Sequence, residues 1–353
     1  MRKLLLVILA VTALTMSYAQ QWNGLTSATP AEASTTLISS ESGTTTFSVT
    51  VPGYFSNTVS TEMGDAIILD LEGTTPLLST GSPAVPKVAV SIQIPDAAAM
   101  DYEIVSFEYE DIENVLLAPS KGSLSRTVDP SDVPYTYGEE YAVNDFYPAT
   151  VAQLNEPYII RDVRGMAAWI YPFRYNPVTQ TLRVYSEVVV KVFSTDAKAE
   201  NILKDSQKPK TQDALFAEIY RRHFINGNNA KYTPLEENGK MLIISYSDFT
   251  GYMQPLADWR RKTGHPTEIV DVATIGASSS AIKDYIANYY NTQGLTYVLL
   301  VGDAAQVPPS YSNGDSDNDY AYITGSDHYP ELFIGRFSAE DTDQVMTMVT
   351  RTI

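Results

Sequence analysis

The hydrophobic pattern of this chain changes period once, close to Tyr232, and that change limits its fold more than any other feature. Before it, short β-branched and aromatic runs alternate with turn clusters, as in "TTTFSVTVPGYF" and "AIILDLEG". The longest run, "FRYNPVTQTLRVYSEVVVKVF", places a turn at Asn176-Pro177 between two strand-like segments. This spacing predicts an all-β, sandwich-like domain over residues 20–200. After Tyr232, the apolar strands "KMLIISYS", "PTEIVDVATI", "LTYVLLVGD" and "LFIGRFS" are interleaved with the helical segments "MQPLADWRRKTG" and "SSSAIKDYIANYYNTQG". Strand and helix in alternation, joined by short loops, predict a parallel sheet with right-handed crossovers over residues 232–353. Four strands fall short of a usual doubly wound sheet, so this α/β domain is expected to be incomplete. Residues 201–231 are polar, include the short helical pattern "ALFAEIYRRHFINGNNAK", and read as a linker of the kind where proteolytic nicking concentrates.

Composition narrows the function. The net charge of −18 repels phosphate backbones, which argues against nucleic-acid binding. The residues shown contain no cysteine, which removes disulfides, thiolate metal sites and a thiol nucleophile from this stretch. Residues 1–19 read as an export signal. Arg2 and Lys3 precede an apolar run from Leu4 to Leu14, and Ser17-Tyr18-Ala19 offers small residues for a cut before Gln20. That run is too short to span a bilayer, and no later run reaches spanning length, so an extracellular or cell-surface protein without a membrane span is expected.

Between Gly314 and Ser338 lie five carboxylates: Asp315, Asp317, Asp319, Asp327 and Glu331. Like charges this close raise one another's pKa, so either something positive lies nearby or the segment is a solvated loop. "DSDNDYAYITGS" opens like an EF-hand but lacks the turn glycine and ends in Ser326 where a bidentate Glu is needed. A different calcium site, gathering Asp327 and Glu331 with Asp303 from a strand end, stands beside the solvated-loop reading. Asp303 follows the carboxyl end of a central strand, where open α/β sheets bind ligands. His223 and His265 read as exposed surface residues. No G-x-S-x-G, H-E-x-x-H, Walker or G-x-G-x-x-G motif occurs.

Several stretches resemble the gingipain family of secreted cysteine peptidases. In the α/β part they are "YTPLEENGKMLII", "LTYVLLVGD", "GSDHYPELFIGRFS" and "TRTI"; in the β part, "APSKG", "DPSDVPYTYG", "YIIRDVRG" and "YNPVTQTLRVYSE". The likeness runs from about residue 90 to the end of the chain. It implies a precursor whose β-rich part is a pro-domain that assists folding and blocks the active site as an intramolecular inhibitor. The α/β part would then open a caspase-like catalytic domain. It implies a maturation cut between Lys231 and Tyr232, Arg126 as the inhibitory side chain, and protein or peptide substrates cut after Arg or Lys. It also implies a structural calcium held by Asp303, Asp327 and Glu331 with main-chain oxygens of Thr324 and Tyr329. The family's Gly-His-Gly histidine and its cysteine are not found in this chain, so the catalytic pair is expected beyond Ile353 and this stretch alone is expected to be inactive. Two other readings stay open: an inactive relative serving as a surface or secretion-apparatus component, and a calcium-stabilised binding module.

Overall fold

The computed structural model describes residues 20–41, 43–208, 213–227, 239–312 and 314–353. The export signal and the Lys231–Tyr232 cut lie outside them. The β part is built on the strands β1 (Thr44–Thr50), β2 (Pro86–Gln93), β3 (Ala99–Ile112), β4 (Tyr158–Ile160), β5 (Val163–Ile170) and β6 (Thr181–Thr195). Strand β6 pairs antiparallel with β3 along one edge and with β1 along the other. A second antiparallel sheet pairs β4 with β5 and β5 with β2. Alternation supplies the contact between them: Phe47, Val49, Val188, Val190 and Val192 from one sheet meet Val90, Ile92, Met166, Ala168 and Ile170 from the other. The expected sandwich is therefore present.

The polar stretch read as a linker does not behave as one throughout. Helix α1 (Ala214–His223) is capped by Asp213, whose side chain accepts from Leu215 N and Phe216 N. Phe216, Tyr220 and Phe224 pack on Tyr158, Ile160 and Val163. Asn226 then bonds both the N–H and the carbonyl of Gln93. Aromatic residues at helical spacing, hidden in a polar sequence, dock this segment onto the β part.

The α/β part contains β7 (Met241–Ser245), α2 (Gln254–Lys262), β8 (Thr267–Asp271), α3 (Ser279–Gln293), β9 (Tyr297–Val301), β10 (Phe333–Phe337) and α4 (Thr342–Thr352). The strand order is β8-β7-β9-β10, every pair parallel. Both faces of the central strands β7 and β9 are covered, which is why these two read as unbroken apolar runs. Leu242 and Ile244 pack with Ile282 and Ile286 of α3 on one face. Met241 and Ile243 face Leu256 of α2 and Val345 and Val349 of α4 on the other. Among the described residues no helix is long and apolar enough to cross a membrane.

Candidate functional site

A parallel sheet has two unlike ends, and the acidic loop reaches both. At the carboxyl end, Asp303 N donates to the Ala339 carbonyl, and Asp303 Oδ1 accepts from Ser338 Oγ at 2.6 Å. That hydroxyl, with the Ala304 N–H, holds the Asp303 carboxyl below the usual carboxylate range. Beside it, Arg336 of β10 meets Asp317 with two parallel bonds, at 2.8 and 2.6 Å. Its Nη1 donates to the carbonyls of Gly302 and Val307. Asp317 is therefore paired and part-buried rather than solvated, and the positive partner that the crowded loop required is Arg336. Asp319 contributes its main-chain carbonyl, which with that of Tyr322 accepts from Lys283 Nζ. Asp315 is exposed, as a solvated loop residue should be.

At the amino end, Glu331 lies fully buried two residues before β10. Its Oε2 accepts from Ile323 N at 2.5 Å and Thr324 N at 3.0 Å, while Oε1 has no partner. Burial outweighs those amide bonds and pushes the Glu331 carboxyl up to about 7. Asp327 Oδ2 accepts from Ile159 N at 2.9 Å and Asn201 Nδ2 at 2.7 Å, and Oδ1 from Tyr329 N. Ile159 belongs to β4, an edge strand, so Asp327 covers an N–H that the sheet leaves open. Tyr329 stacks on Tyr158 with ring centroids 4.0 Å apart. The phenol of Tyr158 meets His223 Nε2 at 2.7 Å, and burial lowers the His223 pKa, so this histidine is not the exposed residue the sequence suggested.

The β part also reaches into this end. The turn between β4 and β5 is only Arg161 and Asp162, since Ile160 pairs directly with Val163. Arg161 sits in the left-handed region at φ 55° and is 3% exposed. Its Nη1 donates to the carbonyls of Leu295 and Glu331, both at 2.8 Å, at the starts of β9 and β10. Its guanidinium lies over the rings of Phe216 and Tyr290. Nearby, Thr296 Oγ1 donates to Asp213 Oδ2 at 2.9 Å, and the rings of Phe216 and Phe333 meet. A second buried arginine, Arg164, donates to the carbonyls of Pro95, Ala98, Glu200 and Asn201, which fixes the loop that presents Asn201 to Asp327.

The five residues expected to hold calcium are thus divided. Thr324, Asp327, Tyr329 and Glu331 share the amino end. Asp303 is at the other end, farther from Glu331 than a five-residue strand is long, on the order of 15 Å. The reason is register: Glu331 precedes β10, whereas Asp303 follows the neighbouring parallel strand β9. Among the described residues no three acidic or imidazole side chains converge on one point. The unpartnered Oε1 of Glu331 is the observation that fits a cation there, without Asp303. Arg126 is exposed, in a turn closed by Val128 N and the Ser125 carbonyl, and among the described residues no hydrogen bond or ion pair ties it to the α/β part. Sequence reasoning missed Arg161, Asn201, Asp213 and the Arg336–Asp317 pair. The one available signal was an arginine at the turn of "YIIRDVRG", where a two-residue hairpin favours glycine or asparagine.

Two family models match the chain in succession. Propeptide_C25 covers residues 27–224, more than half of the 353, and Peptidase family C25 covers residues 234–353. The chain belongs to this gingipain family. It is 40% identical to gingipain R1 of Porphyromonas gingivalis over 284 residues, 78% of this chain and 28% of that protein. Lys-gingipain of the same organism is 25% identical over 84% of this chain and 18% of its own length. The chain therefore spans well under half of the gingipain relatives it matches. Among solved structures, a complex of the Porphyromonas gingivalis RgpB pro- and mature domains is similar over 55% of this chain and 97% of that chain, with 33% identity and a TM-score of 0.51. In this gingipain-family chain the sandwich with α1 corresponds to the propeptide match and the parallel sheet to the peptidase match. The unmatched residues 225–233 contain Lys231 and Tyr232.

Proposed function

We propose that this chain is the pro-domain and the opening of the catalytic domain of an exported cysteine endopeptidase precursor that cuts after Arg or Lys. The observation that carries the reading is the succession of propeptide and peptidase matches, with the Lys231–Tyr232 cut in the gap between them. No thiol is present in the 353 residues, so in this reading the cysteine that attacks the peptide carbonyl, and the histidine that moves its proton, lie in a longer protein. The export signal at residues 1–19 sends the precursor out of the cell, and Arg126, exposed on its loop, is offered to the specificity pocket. The test is to express the longer reading frame and assay peptide substrates ending in Arg, Lys or Leu. Cleavage after Arg or Lys that is lost on thiol alkylation is expected, and residues 1–353 alone should show none. A full-length product that cleaves nothing, or whose activity survives alkylation, would overturn the reading.

We further infer a structural calcium at the amino end of the sheet, held by Glu331 with Asp327 and the main-chain oxygens of Thr324 and Tyr329. The support is the buried, unpartnered Oε1 of Glu331 and the carboxyl pushed up to about 7, a state that a divalent cation relieves. When bound, it supplies positive charge that keeps Glu331 ionised and fixes the loop that leads into β10. A chelator should lower the melting temperature of the α/β part, and an unchanged melting curve would remove the metal from the account.

A further inference from the structure

We propose that Arg161 anchors the pro-domain on the peptidase part through a guanidinium socket, and that this anchor sets how long the two stay together once the linker is cut. The inference rests on the pro-domain reading above and adds the residue and the surface that carry the attachment.

A cut between Lys231 and Tyr232 lies after α1, and α1 packs with the pro-domain. Such a cut severs none of the contacts at the junction. Those contacts centre on Arg161. Its two carbonyl acceptors come from the starts of two neighbouring strands, so one side chain ties β9 and β10 to the same hairpin tip. No carboxylate forms an ion pair with Arg161 among the described residues. The socket instead accepts the guanidinium through oriented carbonyls below and aromatic faces around it, Phe216 from the pro-domain side and Tyr290 from the peptidase side. Both carbonyl bonds come from Nη1, and the flat face of the guanidinium lies against the two rings, a contact that the compact ammonium of lysine does not reproduce.

The backbone points the same way. A non-glycine residue at φ 55° is strained, and such strain persists where the surroundings fix the conformation. Here the two-residue turn itself requires a positive φ at its first position, so the hairpin carries the arginine out at its tip and the socket receives it. Asp327 reinforces the tip by accepting from Ile159 N on the same hairpin. The Arg161 guanidinium donates to the main-chain oxygen of Glu331, and the Arg161 main-chain N–H favours the ionised Glu331 carboxyl, whose Oε1 keeps no hydrogen-bond partner, so the side-chain anchor and a cation use different atoms of that residue. The socket is also separate from the role read for Arg126, which is exposed and makes none of these contacts. The pro-domain is therefore attached at this face, by its hairpin with α1 and the Asn201 loop beside it, and offered to the active site at another.

The test uses the full chain with a viral protease recognition sequence placed within residues 228–238. After cutting, the two pieces are followed by gel filtration and by their dissociation rate. Wild type is expected to stay together, as is Arg126→Ala. Arg161→Ala and Arg161→Lys are expected to dissociate about a hundredfold faster. Retention of both Arg161 variants at the wild-type rate would overturn the proposal. Circular dichroism of each uncut variant checks its fold. Should neither Arg161 variant fold, the cut wild type is treated with arginine amide or lysine amide. Release hastened by the first alone supports the socket, and an equal or absent effect overturns it. Immediate separation of the cut wild type is a different result, since it removes the pro-domain reading itself.

Discussion

At the carboxyl end of the parallel sheet Arg336 meets Asp317 in a two-pronged ion pair, whereas at the amino end Arg161 arrives from another domain and meets carbonyls and aromatic rings, with no ion pair to a carboxylate among the described residues. Both guanidiniums are largely buried, and both bond to main-chain oxygens beside the strands. The difference lies in where the countercharge comes from. The α/β part owns both members of the Arg336–Asp317 pair, so that end is complete without the pro-domain. At the other end it owns the acceptors and a carboxylate oxygen with no donor, and it borrows the cation. A domain end assembled in this way takes its buried guanidinium from the pro-domain, whereas the carboxyl end supplies its own.

The contrast predicts unequal responses. Arg336→Met removes a partly buried pair and leaves Asp317 and two carbonyls unpaired, so denaturant unfolding of the α/β part should lose about 3–5 kcal/mol. Arg161→Ala should leave that transition nearly in place and act instead on the attachment of the pro-domain. If both variants destabilise the α/β part equally, the two ends are not different in kind.

A smaller effect should follow pH. The Glu331 carboxyl is raised from 4.5 to about 7 by burial, so the folded state favours its protonated form. The associated stability is fully present below about pH 4.5 and is lost as pH rises through 7, roughly 3 kcal/mol in all without metal. Glu331→Gln keeps an acceptor for the Ile323 and Thr324 amides and should flatten this slope in thermal melts between pH 5 and pH 8. A slope that survives the substitution would assign the titration to another group.

How much of this was legible in the sequence depends on whether a feature is local. The strands β7, β9 and β10 and the helix α3 announce themselves through apolar runs and caps within a dozen residues. The loop's need for a positive partner also follows from its own charges. Which arginine supplies it does not, because Arg336 meets Asp317 only after β10 has been laid beside β9. Asp303 shows the same limit from the other side. Its position after a strand was read correctly, yet its grouping with Glu331 needed to know that the two parallel strands run the same way from opposite ends of their loops. The Arg161 contact spans 170 residues, from the β4–β5 turn to the start of β10, and nothing within a sequence window reports it.

The smallest effect comes from the residue that the structure separates from the rest. Asp303→Asn keeps an oxygen for the Ser338 hydroxyl at the solvent-facing carboxyl end. Its melting temperature should match wild type, and so should the shift that calcium produces. The reasoning is purely geometric: Asp303 is beside Ala339, whereas Glu331 is before β10, and a cation bound at one cannot reach the other with bonds of about 2.4 Å. Glu331→Gln, by contrast, should abolish the calcium shift. Measured side by side, the two variants separate the ends of the sheet. A calcium shift lost in Asp303→Asn and kept in Glu331→Gln would place the metal at the carboxyl end, beside Arg336, and would leave the Glu331 Oε1 as a buried acceptor served by a proton alone.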